Sequence, residues 1–261
     1  MMTLDTQSLD AFLANWAKAS GAWAAALGGR VLRRDDAVAV YAGRPAFVAN
    51  AVTPLEPITE ENAADLMHAL DQHYGFDSGQ RTGRVLIFSA WPAPDLAPYG
   101  WSPLGEAPLM LRPAGGELPE TDGDLRIETV RDEATLRDAE AVTVQGFGLK
   151  DPEVLERGGL FGPALLDDDR MRMWVGYEGD MPVTTAACFV SEGITNVINV
   201  ATIPEARGRG YAGAVTWRAT LTEPSLPTLL IASDAGQRVY ERMGYGTVRR
   251  FELWSRKSPE E

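Results

Sequence analysis

Apolar residues in the C-terminal half of the chain recur with two different spacings. Short runs of apolar residues are typical of buried strands, and apolar positions three and four residues apart are typical of helices. Along residues 125–257 these patterns predict six strands and four helices in the order β-α-α-β-β-β-α-β-α-β. The strands are predicted at 125–130, 172–177, 183–190, 195–201, 228–232 and 246–254, and the helices at 132–143, 152–157, 210–221 and 236–243.

The N-terminal half carries the same kinds of pattern. Strands are predicted at 37–41, 46–52, 85–89 and 107–112. Two helices are predicted from apolar positions at helical spacing, which are Leu9, Phe12, Leu13 and Trp16 in the first and Ala63, Leu66, Met67 and Leu70 in the second. The whole chain is therefore predicted to have an α/β fold, of the α+β kind with a mixed sheet.

A stretch rich in Pro, Gly and acidic residues separates the two halves. It covers residues 112–124, between two regions with regular apolar spacing, and has the composition of a surface linker. The chain of 261 residues is long enough for two domains of modest size. We therefore predict an N-terminal domain at 1–113, a linker at 114–123 and a C-terminal domain at 124–261.

A turn with two glycines follows the predicted strand 195–201. Residues 203–212 read Ile-Pro-Glu-Ala-Arg-Gly-Arg-Gly-Tyr-Ala, and a predicted helix continues from them. Gly208 and Gly210 allow tight backbone geometry, and the first amides of the helix lack intrahelical partners. The helix dipole, with Arg207 and Arg209, would favour an anion such as a pyrophosphate. The alternative is an ordinary strand-to-helix turn that binds nothing.

Two other phosphate-binding motifs fit this turn less well. A dinucleotide fingerprint needs Gly-x-Gly-x-x-Gly and an acidic residue about twenty positions later. Here Gly208 and Gly210 are followed by Gly213 and then by Thr222-Glu223 in a Pro-rich turn. Walker-type binding is excluded because the sequence contains no Gly-Lys-Ser or Gly-Lys-Thr.

A second motif follows the predicted strand 228–232. Ser233 stands where it can cap the next helix, Tyr240 lies seven residues later, and Gly244-Tyr245 ends the helix. A cap, a core aromatic residue and a helix stop would explain these residues structurally. Only the Tyr240 hydroxyl carries a hypothesis about chemistry.

Together the two motifs resemble the GCN5-related N-acetyltransferase (GNAT) superfamily. Arg207-x-x-Gly210-x-Ala212 matches its central coenzyme A signature, and Ser233, Tyr240 and Gly244-Tyr245 occupy the places of its second motif. The resemblance covers about residues 124–257, and the predicted element order is similar to that of the superfamily. It implies the GNAT fold and an acyl-coenzyme A cosubstrate.

The end of the N-terminal half is similar to the end of the C-terminal half. Placing Gly100-Trp101 on Gly244-Tyr245 brings Ser89 onto Ser233 and Leu96 onto Tyr240, and a terminal strand follows in both copies. The first copy lacks the glycine turn and the Tyr hydroxyl, and its ending is rich in proline. We therefore predict a tandem form, in which a degenerate N-terminal GNAT-like copy packs on an active C-terminal one.

The resemblance also implies a mechanism and a set of site residues. An amine attacks the thioester of acetyl-CoA directly, and a tetrahedral intermediate collapses to an amide and free coenzyme A. Tyr240 is the implied catalytic residue, as proton donor to the leaving thiolate. The implied cofactor-binding residues are Val200, Ala201, Thr202, Arg207, Gly208, Arg209, Gly210, Tyr211, Ala212, Ser233 and Gly236.

The general base and the acceptor are left open by the sequence. Glu192, Glu205 and Asp234 lie near the predicted cleft in sequence, and an ordered water chain could also serve as the base. The acceptor is predicted to be a small-molecule or peptide amine, and the segment 146–169 to form the wall above it. The length of the acyl chain is also open.

Cysteine and histidine usage argues against other catalytic classes. Cys188 is the only cysteine and lies in an apolar strand, which predicts a buried hydrophobe and excludes an intrachain disulfide. His68 and His73 are five residues apart, a spacing that does not place two ligands on one helix face. We therefore expect no metal, and no Ser-His-Asp hydrolase, because Gly-x-Ser-x-Gly does not occur.

The charge and the N-terminus bound the partners of the protein. A formal net charge of -13 disfavours nonspecific binding to nucleic acid or to anionic membranes, and weakly favours a cationic amine. The sequence shows neither a signal peptide nor a membrane span, which predicts a cytoplasmic protein.

Two alternative functions are kept. A noncatalytic acyl-CoA sensor or assembly module would use the glycine turn without needing Tyr240. In the other alternative, the N-terminal half forms a substrate lid or the surface of a homodimer, through Trp91, Tyr99 and Trp101. Those three aromatic residues fit a core role as well.

Overall fold

Within the residues that the structure describes, six α-helices and eleven strands build the fold. A computed structural model describes residues 5–45, 48–78, 82–119, 125–156 and 158–257. The helices are α1 (Thr6–Ala26), α2 (Glu60–Tyr74), α3 (Glu133–Phe147), α4 (Pro152–Leu155), α5 (Tyr211–Thr220) and α6 (Asp234–Arg242). The strands are β1 (Arg30–Arg33), β2 (Ala37–Tyr41), β3 (Ala51–Pro54), β4 (Arg84–Ser89), β5 (Ser102–Arg112), β6 (Leu125–Thr129), β7 (Met171–Glu178), β8 (Met181–Ser191), β9 (Ile194–Thr202), β10 (Thr228–Ile231) and β11 (Gly246–Lys257).

Local capping signals explain where the longer helices begin and end. The Asp132 carboxylate accepts a hydrogen bond from the Thr135 amide in a capping box at the start of α3. Gly148, with a φ of 63°, ends that helix in the left-handed conformation. Thr59 and Gly75 play the same two roles for α2. The predicted helices are confirmed, with shifts of a few residues at their ends.

The N-terminal strands differ from the prediction in two places. The predicted strand 46–52 is confirmed at residues 51–52, where β3 begins, and is wrong at residues 48–50, which form a turn; residues 46–47 lie outside the described residues. The reason is Asn50, whose buried side chain accepts from the Ala42 amide and donates to the Arg44 and Thr82 carbonyls. The Asn50 side chain thus satisfies hydrogen bonds of the loop backbone, in place of the pairing with a neighbouring strand that the prediction assumed. Strand β1, which the sequence analysis missed, is short and has arginine at both ends.

The two halves of the chain share one sheet. Its strand order is β1-β2-β3-β4-β11-β5-β10-β9-β8-β7-β6. The last strand of each half is therefore exchanged: β11 lies beside β4 from the N-terminal half, and β5 lies beside β10 from the C-terminal half. Strands β5 and β11 also pair with each other in the middle. This exchange joins the halves through backbone hydrogen bonds.

The division of the chain into segments 1–113 and 124–261 stays a prediction, as does their tandem origin. Residues 113–119 are exposed and belong to no helix or strand, as expected for a linker, and residues 120–124 lie outside the described residues. Gly100 and Gly244, which the sequence comparison matched, both have left-handed φ values, of 80° and 86°. Leu96 is fully buried, as is Trp101.

The helices cover opposite faces of the sheet. Because successive strand residues point to opposite sides, β8 separates two clusters of apolar side chains. Ala187 and Phe189 pack with α1 and α3, and Ala186 and Cys188 pack with α5 and α6. Helix α1 also packs on β2 through Val38 and Val40, on the face away from α2. At about 1.5 Å per residue it is roughly 30 Å long, so it crosses one face of both halves.

Candidate functional site

Strands β9 and β10 separate after a short parallel contact. Only two residue pairs join them, Thr228 with Thr195 and Leu229 with Asn196. Further along β9 the backbone is irregular: Asn199 has a φ of 50°, and the pairing with β8 shifts register between Ile198 and Ala201. Such a bulge bends a strand, and the pairing with β8 resumes at Ala201. Beyond Asn196 the described part of β9 has no pairing with β10, and a gap separates the two strands.

A cavity of about 350 Å³ occupies this gap. Its walls come from β9 and β10, from α1, and from the N-terminal strands β3 and β4. The lining residues are Trp16, Ala19, Ser20, Trp23, Val48, Ala49, Ala51, Leu86, Phe88, Ala107, Phe147, Val197, Ile198, Asn199, Val200, Leu230, Ile231, Ala232, Ser233, Tyr240 and Leu253. Each of them is uncharged at neutral pH.

The predicted glycine turn lies between β9 and α5. Gly208 and Gly210 have φ values of 79° and 83°, and a Cβ added at either position would meet no atom within 4 Å. Gly210 is the N-cap residue of α5, and no side chain among the described residues caps the helix there. The amides of the first turn of α5 therefore face open space, beside a helix dipole that favours an anion.

The two arginines of the turn already contact the protein. Arg207 donates to the carbonyls of Thr202 and Gly146, at 3.2 and 2.8 Å. Arg209 pairs with the carboxylate of Glu178, with nitrogen–oxygen distances of 2.7 Å. Arg207 thus fixes the end of β9 against the end of α3. Glu178 balances the positive charge of Arg209, which the sequence analysis had expected to attract an anion.

The other predicted cofactor-binding residues surround the turn and the gap. Val200 lines the cavity. Ala201 is buried with Val142 and Val183, and Tyr211 packs on the same cluster. The Thr202 hydroxyl lies 2.8 Å from that of Thr184. Ala212 lies in the first turn of α5.

Tyr240 lies on α6 at the gap. Its side chain lines the cavity and is 8% exposed, and burial raises its pKa to about 12. The Ser233 hydroxyl caps α6 by accepting from the Gly236 amide at 3.2 Å, which confirms the predicted cap. A Cβ on Gly236 would lie 2.9 Å from Cε2 of Tyr240, so the glycine leaves room for the ring. Tyr240 is therefore a neutral hydroxyl donor at the edge of the cavity.

The three carboxylates considered as bases lie outside the cavity lining. Glu192 is in the hairpin turn between β8 and β9, where it pairs with Lys18. Glu205 is in the turn before Arg207, and Asp234 is the first residue of α6. The geometry therefore selects none of them as the base.

Sequence analysis missed most of the wall. Trp16 and Trp23 on α1 and Phe88 on β4 line the cavity from the N-terminal half. The apolar spacing predicted Trp16 as an apolar position of a helix and Phe88 as part of a strand, and it did not single out Trp23. The shared sheet and the packing of α1 across both halves bring all three to the C-terminal motifs. Within the predicted wall at 146–169, Phe147 is the described residue that lines the cavity.

Most of that segment instead packs against α1 and α3. Glu140 and Arg137, both 6% exposed at their side chains, form an ion pair of 2.9 Å. The Glu140 carboxylate also accepts from the amides of Gly158, Leu160 and Phe161. The Leu160 carbonyl in turn accepts from Nε1 of Trp23 at 2.7 Å. This buried network holds Trp23, one of the residues that line the cavity, in place.

Cys188 is fully buried, which confirms its predicted role as a core residue. Burial raises its pKa to about 12, and Sγ lies 3.3 Å from the Thr222 hydroxyl. Within the described ranges, none of the helices has the length and apolar character needed to cross a bilayer.

Solved structures share this fold over almost the whole chain. A GCN5-related N-acetyltransferase from Kribbella flavida aligns with a TM-score of 0.62 and 19% identity, covering 92% of this chain and 95% of that one. A functionally unknown conserved protein from Staphylococcus epidermidis aligns with a TM-score of 0.64 and 13% identity, covering 89% and 95%. A GCN5-related N-acetyltransferase-like protein from Streptococcus suis aligns with a TM-score of 0.55 and 12% identity, covering 93% and 97%.

These alignments confirm that the chain has the GNAT fold, a mixed α/β architecture with one large sheet. No protein-family model and no curated protein matches the sequence. At identities of 12–19% the likeness concerns the fold. The activity has to be argued from the site.

Proposed function

We propose that this GNAT-fold protein is an N-acetyltransferase that moves an acetyl group from acetyl-CoA to a primary amine. The observation that carries the proposal is the position of the gap between β9 and β10. Strand β9, which lines the gap, leads into the open glycine turn at the start of α5, and Tyr240 on α6 lines the cavity in the gap. An anion-binding turn and a buried proton donor on either side of one cleft suit a thioester cosubstrate with a pyrophosphate at its other end.

The turn fits a pyrophosphate by shape and by charge. The open space over Gly208 and Gly210 allows a ligand to approach the backbone closely, and the uncapped amides of α5 can donate to its oxygens. Arg207 and Arg209 are exposed at the rim. Their bonds to protein carbonyls and to Glu178 hold the turn in shape, so they would help the site more by positioning than as free cations.

The rest of the cosubstrate would lie along β9. Pairing between β9 and β10 ends at Asn196, so beyond it the edge of β9 that faces the gap would be left for the amides of the pantetheine arm, at Val200, Ala201 and Thr202. Ser233 lines the cavity on the other side, and Gly236 lies near it in the first turn of α6. The thioester would then reach the cavity near Tyr240.

The chemistry needs one proton donor at the sulfur. The amine nitrogen attacks the thioester carbon, a tetrahedral intermediate forms, and its collapse breaks the bond between carbon and sulfur. The Tyr240 hydroxyl, neutral because burial raises its pKa to about 12, can protonate the leaving thiolate. A noncatalytic acyl-CoA sensor would not need this hydroxyl in the gap.

Replacing Gly210 by Glu tests the cosubstrate site. The new side chain would enter the open space over the turn, where its carboxylate would repel a pyrophosphate. Calorimetric titration is expected to show acetyl-CoA binding to the wild type at micromolar to low millimolar concentration, and affinity reduced at least about 100-fold in the variant, equivalent to about 2.7 kcal/mol.

Two controls separate charge from backbone strain in this test. Gly210→Ala carries the same left-handed strain without the carboxylate. Gly28→Glu places the same side chain at another open glycine, with a φ of 73°, after α1. Both are expected to keep binding better than Gly210→Glu. Absence of binding to the wild type at millimolar acetyl-CoA would reject the proposed function.

A further inference from the structure

The part of the cavity on the α1 face is apolar and aromatic. Trp16 and Trp23 come from α1, Phe88 from β4, and Phe147 from the end of α3. Ser20 adds a hydroxyl, and the Nε1 of Trp16 is buried with no hydrogen-bond partner among the described residues. The described residues of this wall offer hydrogen-bonding groups and ring faces, and none of them carries a carboxylate.

The α1 face lies opposite the predicted cosubstrate side. The glycine turn leads into α5, which packs with α6 and Tyr240 on one face of the sheet. Trp23 belongs to the cluster on the other face, with residues of α3. A cosubstrate anchored at the start of α5 therefore reaches the gap from the α5 and α6 side. The space on the α1 side is left for the acceptor.

An ammonium ion is a poor match for that space. Moving a cation from water into a cavity without a paired anion is costly, and in practice the group loses its charge instead. An alkylamine with a pKa of about 10 has only about one molecule in a thousand uncharged at neutral pH. An arylamine is uncharged at neutral pH, because its lone pair is delocalised into the ring.

The protons also balance without a base when the acceptor is uncharged. Attack by a neutral amine forms the bond between nitrogen and carbon, and loss of the thiolate breaks the bond between carbon and sulfur. The nitrogen then releases one proton and the sulfur takes up one proton. The Tyr240 hydroxyl can give its proton to sulfur and regain one from nitrogen. An alkylammonium would have to lose a further proton before attack, and the cavity wall has no group to take it.

We infer that the acceptor is an uncharged amine with an apolar aromatic body, of the arylamine class. The inference rests on the proposed acetyl transfer and names the substrate class of that site. The aromatic ring would lie against the wall that Trp16, Trp23 and Phe88 form, with its amino group toward Tyr240. Phe147, which is 42% exposed, stands at the mouth of the cavity.

Two isomeric amines provide the test. Para-ethylaniline and phenethylamine have the same atoms and similar size, but at neutral pH the first is neutral and the second is an ammonium ion. We expect para-ethylaniline to bind the complex with free coenzyme A at least about tenfold more tightly, measured by calorimetry. We also expect at least about tenfold higher kcat/KM with acetyl-CoA, measured by thiol release and by the mass of the product.

Ser20 allows the preference to be altered. Ser20→Asp places a carboxylate in the wall, and Ser20→Asn places an uncharged group of similar size there. The ratio of kcat/KM for para-ethylaniline to that for phenethylamine is expected to fall at least about fivefold in the Asp variant relative to the Asn variant, because the carboxylate can pair with the ammonium ion. An equal ratio in the two variants would contradict the inference.

The outcomes separate this inference from the proposed function. If acetyl-CoA binds but the protein prefers phenethylamine or binds neither isomer, the arylamine assignment is overturned. The binding of acetyl-CoA is unaffected by either result. Displacement of para-ethylaniline by octanoyl-CoA, but not by acetyl-CoA, would assign the cavity to an acyl chain and also overturn it. If acetyl-CoA itself does not bind, the proposed function fails, and titration of the two isomers into the free protein still tests which of them the cavity prefers.

Discussion

Tyr240→Phe is expected to lower kcat for acetyl transfer by about 10²–10⁴-fold while acetyl-CoA still binds. The substitution removes the hydroxyl at the gap and keeps the buried ring, which lies 6.0 Å from the ring of Tyr245. The expected size of the effect is that of losing one positioned proton donor. Because burial raises the Tyr240 pKa to about 12, the wild-type hydroxyl keeps its proton at neutral pH. The loss should therefore be present throughout the range from about pH 6 to pH 9.

Tyr245→Phe is the matched control for this prediction. Tyr245 is also a buried tyrosine, and its hydroxyl lies 2.8 Å from that of Thr220, away from the cavity lining. Removing it breaks a buried hydrogen bond and is expected to lower stability by about 1 kcal/mol, with kcat within about threefold of the wild type. A Tyr240→Phe enzyme that also stays within about threefold would exclude Tyr240 as the proton donor.

Glu140→Gln is expected to destabilise the protein by about 3–5 kcal/mol. Glu140 is buried, pairs with Arg137, and accepts from three amides of the segment 158–161. A glutamine would leave Arg137 as an unpaired buried cation and would turn an NH₂ group toward amides that are themselves donors. At about 2–4 °C per kcal/mol for a protein of this size, Tm should fall by roughly 10 °C.

Glu106→Gln is the control for burial. Glu106 also lies near an arginine, Arg250 at 3.8 Å, but the side chains are 58% and 50% exposed. An exposed pair contributes about 0–1 kcal/mol, so Tm should change by only a few degrees. Similar losses in the two variants, measured by thermal unfolding, would show that the Glu140 network does not hold the segment 158–161.

The elements of the C-terminal half could be predicted because their signals are local. The apolar run of β9, the glycines before α5 and the cap at Ser233 each act within a few residues of their position. The same local signals put Gly210 in the turn before α5 and Tyr240 on α6, where the structure has them.

The exchange of β5 and β11 could not be predicted, because the residues of a strand do not determine which other strands it pairs with. Both strands carry apolar residues, and either could have paired within its own half. The shared sheet brings the N-terminal half to the cavity, and so Trp16 was predicted only as an apolar position of a helix and Trp23 was not singled out. The predicted strand 46–52 began too early because of the buried Asn50. Its side chain forms hydrogen bonds with loop backbone, whereas the backbone of a strand would pair with a neighbouring strand.

The most direct test of the account is hydrogen exchange with and without coenzyme A. The central claim is that coenzyme A binds the glycine turn and extends along β9. At saturation, the amides of residues 199–202 and 208–213 should exchange at least about tenfold more slowly. If coenzyme A binds and neither segment exchanges more slowly, the result would contradict the account.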